Sequence, residues 1–317
     1  MPVYLFTRRE VAKSLLFAAG PLAASAATLE SAALRFQVTL GKGGAVERCF
    51  TNRLTQELIR LPVPDFQLEF DNGAVVSSSD LKAAMAQQSN ERIQLEYSKP
   101  GGPEVRVEYS LPAGKDYLRK QIAVRTKNGM PARLMRADLD NWMGVRRDWR
   151  SMRTDRLRHG SHPVYCESIW AGVEFVAAFN EHGSDGFTLR SRPGGPRLSP
   201  EWTPLVSSAV GVAEPGRVRE AFLQYIDDIR LAPPRVVACY NSWWTLPLRI
   251  GQAELVRLAR DLTAKLEAPH GVFFDIFTID EGWTNPQSVW EIDWKNLPNG
   301  FAELRSVVEA VGGKLGL

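Results

Sequence analysis

Arg235-Val236-Val237-Ala238-Cys239-Tyr240 and Val272-Phe273-Phe274-Asp275-Ile276-Phe277-Thr278-Ile279 are two nearly continuous apolar runs. Runs of this kind read as strands covered on both faces, the signature of a parallel sheet. Between them, Glu254 to Leu266 places Leu255, Leu258, Leu262 and Leu266 on one helical stripe. After the second run, Phe301 to Val311 repeats that period and stops at Gly312-Gly313. Lys314-Leu315-Gly316-Leu317 then begins a third strand. Strand-helix-strand-helix-strand implies right-handed βαβ crossovers. A (β/α)8 TIM barrel takes at least about 200 residues, and fewer than half that number follow Pro234. The expectation for residues 233–317 is therefore an incomplete (β/α)8 barrel domain, truncated after its first β/α units.

Upstream of Pro233-Pro234 the period is two instead. Leu34 to Leu40, Phe66 to Phe70, Arg92 to Tyr97 and Glu104 to Tyr109 alternate apolar and polar residues. Turn signals separate them at Gly41 to Gly44, Asp71-Asn72-Gly73 and Lys99 to Gly102. Further strands are expected at Val173 to Phe179 and Ser207 to Val212, and a short helix from Arg217 to about Ile229. Short alternating strands at this spacing predict a β-sandwich over residues 28–232. Within it, 141–159 interleaves Trp142 and Trp149 with Arg146, Arg147, Arg150, Arg153, Arg156 and Arg158. That stretch reads as a solvated or domain-bridging loop, or as the rim of a polar ligand site.

The chemistry gathers where the parallel strands end, because ligands of such folds bind at the carboxyl edge of the sheet. The first strand ends in Tyr240-Asn241-Ser242-Trp243-Trp244, the second in Asp280-Glu281-Gly282-Trp283, and Asp293-Trp294 follows on the next loop. Carboxylates accept bonds from sugar hydroxyls while an indole face covers the C–H side of a ring. The candidate substrate-binding residues are accordingly Asp280, Glu281, Trp283, Trp243, Asn241, Tyr240, Asp293 and Trp294. Asp280 could instead cap a helix, and Trp244 and Trp290 could be core. Asp280 and Glu281 adjoin in sequence and cannot flank a bond from opposite sides, so no residue is assigned as catalytic.

Composition narrows the class. The 317 residues are 44% hydrophobic and 24% charged, ordinary for a folded protein. Lys and Arg total 39 against 36 Asp and Glu, a net +3 that demands no nucleic-acid partner. Cys49, Cys166 and Cys239 lack CxxC spacing, and His159 with His162 is a poor helical zinc pair, so neither a disulfide framework nor a metal or cofactor is expected. At the N-terminus, Arg8-Arg9 and Lys13 precede an apolar run ending in Ala24-Ser25-Ala26. Residues 1–27 thus read as a twin-arginine export signal, directing a bacterial protein to the periplasm or outside the cell. The run is too short to span a bilayer, and no membrane is expected for the mature protein. Most of the basic surplus leaves with the signal.

Four segments carry a resemblance. Tyr240-Asn241-Ser242-Trp243, Asp280-Glu281-Gly282-Trp283, Asp293-Trp294-Lys295-Asn296-Leu297-Pro298-Asn299-Gly300-Phe301 and Gly313-Lys314-Leu315-Gly316-Leu317 look like the α-galactosidase/melibiase superfamily, closest to glycoside hydrolase family 36. His162-Pro163-Val164-Tyr165 and Trp170-Ala171-Gly172-Val173-Glu174-Phe175 resemble that family's N-terminal sandwich. The resemblance implies an exported glycoside hydrolase that cleaves a terminal α-linked galactose or related sugar with retention. It implies that Asp280 holds sugar hydroxyls at C4 and C6, with Trp243 and Trp294 lining the pocket. Glu281 stands where the family has Asp, and its extra methylene displaces the carboxylate. The family's nucleophile and acid/base lie on later strands, beyond residue 317, so the chain alone is expected to be inactive. The alternative is a non-catalytic carbohydrate-binding or interaction module.

Overall fold

A computed structural model describes residues 25–126, 133–151, 159–246, 250–288 and 290–317. Nearly all of the expected export signal, and Arg153, Arg156 and Arg158, lie outside the described residues. The chain divides into two compact units after Arg230.

The first unit is mostly β and antiparallel. Strands Ser25–Glu30, Leu34–Leu40, Val46–Asn52 and Glu57–Arg60 form a four-stranded meander. A nine-stranded sheet runs Arg150–Ser151, Val164–Tyr165, Ile169–Val173, Ser208–Val212, Tyr117–Arg125, Glu104–Ser110, Arg92–Ser98 and Lys82–Gln88, with Thr203–Pro204 added beside Tyr117–Arg125. A six-stranded sheet runs His159–Gly160, Ala178–Gly183, Gly186–Ser191, Leu134–Asn141, Gln67–Phe70 and Val75–Ser77. Alternation explains which side chains go inward: Ile93, Leu95 and Tyr97 are buried, as are Val105, Val107 and Tyr109 on the paired strand. One apolar core joins residues from all three sheets. Helix Val218–Ile229 packs Tyr225 against Tyr117 and Trp170.

Two expectations need correction here. The stretch 173–179 is not one strand: Ile169–Val173 ends, the chain turns, and Ala178–Gly183 begins. Val176 is 87% exposed in that turn, while Glu174 accepts bonds from Arg119, Ser207 and Tyr225. Periodicity cannot see a carboxylate that anchors a turn. Residues 142–149 of the basic stretch form an irregular loop with exposed arginines, as expected, but its two tryptophans are buried in the core. Trp142 stacks on Phe187 at 5.2 Å, and Trp149 meets the same ring edge-on at 4.7 Å. Of the flanking arginines, Arg146, Arg147 and Arg150 pair with Asp185, Glu57 and Asp148. The first strand also begins inside the stretch assigned to the signal, with Ala27 buried.

The same unit also buries a cluster of charges. Arg48, Asp65, Lys120 and Asp140 are all buried. Asp65 accepts from Arg48, Lys120 and the Tyr109 hydroxyl. Asp140 sits 3.8 Å from the Lys120 ammonium and 4.0 Å from the Arg48 guanidinium. Burial opposes the charge on Asp65, but Arg48 and Lys120 outweigh it and hold that carboxyl below its ordinary value. Burial pushes the Asp140 carboxyl up, and the charge on Asp65 adds to the rise.

The second unit is a three-stranded parallel sheet. Strand Cys239–Asn241 pairs with Ile276–Thr278, which pairs with Lys314–Gly316. Helices Gln252–Leu262 and Ala302–Glu309 make the two crossovers, the first prolonged by a π-turn at Thr263–Glu267. Leu255, Val256 and Ala259 meet Leu304 and Val308 in its core, with Phe277 from the sheet. The strands are shorter than their apolar runs. Val236 is 92% exposed, and Val272 and Phe273 are exposed too, so the first part of each run is not covered on both faces. The register aligns Tyr240, Phe277 and Leu315 on the face toward the helices. Asn241, Thr278 and Gly316 therefore share the opposite face.

Candidate functional site

Asn241 and Asp280 meet at the carboxyl ends of adjacent parallel strands. The strand Cys239–Asn241 stops because Asn241 turns the chain: its Oδ1 accepts from the Trp243 backbone N–H at 2.8 Å, capping a single turn of helix. Its Nδ2 is then aimed across the sheet and donates to Asp280 Oδ2 at 2.8 Å. Ser242, fully buried, accepts from the Asp280 backbone N–H through Oγ at 3.0 Å. Two consecutive residues of one strand end thus pin both the side chain and the backbone of Asp280.

The same bonds set its charge. The Glu281 backbone N–H bonds Asp280 Oδ1 at 2.8 Å and, with the Asn241 amide, holds the carboxyl below its ordinary value. Asp280 is half-buried, and each of its oxygens keeps lone-pair capacity beyond these bonds. It is an oriented, ionised acceptor at a strand end. Nearby Gly316 keeps the shared face clear, since a Cβ there would come within 3.0 Å of Ile276 Cγ2 and 3.1 Å of Thr278 Oγ1.

The structure sorts the other expected site residues. Trp243 is 40% exposed and Trp294 63% exposed, so both leave indole surface open to solvent. Trp294 also rests against Gly300. Glu281 is exposed. Trp283 is core: it is 7% exposed and packs edge-on against Phe301 at 5.8 Å. Tyr240 faces the helices, 5.2 Å from the Phe277 ring, with its hydroxyl bonded to Thr245. Asp293 shapes its own loop, accepting from Lys295 N at 3.0 Å and from Asn296 Nδ2 at 2.9 Å. Trp244 and Trp290 are 83% and 76% exposed, which removes them from the core. Ser242 was not among the expected residues; its signal was only its position between Asn241 and the strand end. Among the described residues, no cluster of three or more His, Cys, Asp or Glu is placed to hold a metal ion.

No protein-family model matches the sequence, and no curated protein does. Solved structures do match the fold. A GH36 α-galactosidase, AgaB from Geobacillus stearothermophilus, superposes with a TM-score of 0.58 at 15% identity, covering 93% of this chain and 56% of its own. The galactosidase domain of the α-galactosidase-sucrose kinase AgaSK gives 0.60 at 14% identity, covering 91% and 55%. A variant of AgaA from Geobacillus stearothermophilus, solved in complex with raffinose, gives 0.56 at 14% identity, covering 92% and 56%. The likeness is one of fold, and the chain spans just over half the length of these structures.

Proposed function

We propose that this chain is the N-terminal part of an exported glycoside hydrolase of the α-galactosidase type. The sheet Cys239–Asn241, Ile276–Thr278, Lys314–Gly316 is then the opening of a (β/α)8 barrel, and its strand ends are one wall of the sugar site. The observation that carries the reading is the Asn241–Asp280 bond at 2.8 Å, which orients an ionised acceptor at the edge where such folds bind ligands. Asp280 accepts from two hydroxyls of a terminal galactose or related sugar, and the exposed faces of Trp243 and Trp294 cover its C–H side. Raffinose, held by one of the structurally similar galactosidases, is a fitting probe.

Retaining hydrolysis needs two carboxylates about 5–5.5 Å apart on opposite sides of the bond. Asp280 and the adjoining Glu281 cannot flank a bond from opposite sides, and the family resemblance puts the two acids on later strands. The 317-residue chain is therefore proposed to bind a sugar without cleaving it. The test is a calorimetric titration of raffinose into the chain and its Asp280→Asn variant, together with release of nitrophenol from nitrophenyl α-galactoside. Binding weakened by Asp280→Asn, with no release, supports the reading. Unchanged affinity in the variant, or turnover by the chain alone, refutes it. Export is tested by Arg8→Lys with Arg9→Lys, which should leave the protein in the cytoplasm.

A further inference from the structure

Trp290 stands on the loop that leaves the carboxyl end of strand Ile276–Thr278, the same strand end that carries Asp280. Its backbone is left-handed, at φ +74°. For a bulky residue that conformation is a genuine outlier, and it persists only where the surrounding chain enforces it. The loop enforces it here. Thr284 and Ile292 form an antiparallel bridge, and the Asn285 N–H donates to the Glu291 carbonyl at 2.8 Å. The Gln287 N–H donates to Asn285 Oδ1 and the Ser288 N–H to the Asn285 carbonyl, both at 3.0 Å. The Asp293 N–H donates to the Trp283 carbonyl at 2.8 Å, which ties the closed loop to the core.

Packing does not account for the strained position. Trp290 is 76% exposed, and the aromatic ring it meets is Trp283, at 6.2 Å. Trp283 is core, so the Trp290 indole is braced by the packed unit and left mostly open. Trp244 is also exposed, but its backbone is not left-handed, and nothing there asks for an explanation. Strain at an open aromatic residue is the mark of a group held out for contact.

The chemistry of the loop selects what it contacts. From Asp280 to Trp294 the charged residues are Asp280, Glu281, Glu291 and Asp293, with no Lys or Arg. Anionic ligands, nucleotides included, are therefore disfavoured. Asp280 and Asp293 are already bonded by backbone and amide N–H donors, so neither calls for a cation. An open indole, oriented carboxylate acceptors and the amides of Asn285 and Gln287 suit a neutral polyhydroxyl ring, its C–H face on the indole and its hydroxyls on the polar groups.

We propose that Trp290 is the stacking platform of an outer saccharide subsite, which takes the second sugar of a chain whose terminal unit is held at Asp280. This rests on the reading of Asp280 as a sugar acceptor and adds the residue that prefers a chain to a single sugar. The test titrates galactose and raffinose separately into the full chain and into its Trp290→Gly, Trp290→Phe and Asp280→Asn variants. The parent should bind raffinose about three- to tenfold more tightly than galactose, the worth of one aromatic contact. Trp290→Gly should erase that ratio and leave galactose affinity unchanged, and Trp290→Phe should keep most of it. Glycine adopts the left-handed backbone freely, so Trp290→Gly should melt within about 4 °C of the parent. A larger fall shows that the indole is there for packing and overturns the proposal. So does a parent without preference for raffinose, a ratio unchanged by Trp290→Gly, or an equal loss of both sugars in that variant. The Asp280 reading fails differently, as an Asp280→Asn chain that keeps its galactose affinity while Trp290→Gly still erases the raffinose preference. Absence of binding by either sugar overturns both.

Discussion

Replacing Asp65 by Asn keeps the shape of the buried charged core and removes the carboxylate that hydrogen-bonds both of its cations. Asp65 accepts from Arg48, Lys120 and Tyr109, all buried. The amide offers one oxygen in place of two and turns N–H donors toward groups that are themselves donors. Arg48 and Lys120 are left to Asp140, at 4.0 and 3.8 Å, whose own burial disfavours its charge. Breaking a buried pair by removing one partner costs about 3–5 kcal/mol. For a unit of this size each kcal/mol lowers the melting temperature by about 2–4 °C, so a fall of about 6–20 °C is expected. Adding Lys120→Met removes one stranded cation, and the double variant should be about 1–3 kcal/mol more stable than the two single losses predict by addition. Scanning calorimetry at neutral pH reads both quantities. The pH dependence has a definite sign. The folded value of Asp65 lies below its ordinary 3.8, so its contribution is complete above that value and disappears as pH falls through the folded value. The acid limb of the stability curve should therefore flatten in Asp65→Asn. A melting-temperature change under about 2 °C, or strict additivity with Lys120→Met, would refute the account of the cluster as a shared, mutually dependent ion network.

Other perturbations read the site and its frame. Trp283→Ala should cost about 3–5 kcal/mol, since it empties a core position, whereas Trp294→Ala should weaken sugar binding with little effect on urea unfolding. Asn241→Asp sets a second carboxylate against Asp280 in place of the amide donor; NMR titration should show the Asp280 carboxyl moving up from its depressed value. Gly186→Ala should destabilise the first unit by about 1–3 kcal/mol or more, because φ is +143° and the new methyl would lie 2.3 Å from the Trp142 carbonyl oxygen. Chemical denaturation measures that loss, and a neutral result would contradict the packing of that turn.

Much of the architecture is legible along the chain. Leu34 to Leu40 alternates and forms a strand with those bounds. The Leu255 stripe forms a helix, and the three strand-like segments after Pro234 pair in parallel, as the βαβ rule requires. Edges are less legible. The runs beginning at Val236 and Val272 are apolar well before their strands begin, because composition records what a residue tolerates and hydrogen bonding decides where a ladder starts. The site divides in the same way. The motif Asp280-Glu281-Gly282-Trp283 locates the strand end, yet Trp283 turns inward to Phe301 while Asp280 faces Asn241.

The sequence by itself determined the periods, and with them an antiparallel half, a parallel half and the strand end where polar and aromatic residues collect. These are short-range properties, set by side-chain spacing within about ten residues. Tertiary structure alone decided which acids and tryptophans act together. Asp65 reaches Lys120 across 55 residues, and Asn241 reaches Asp280 across 39. No local period encodes those distances: each bond depends on register between strands, and register is settled only when the sheets close on their cores.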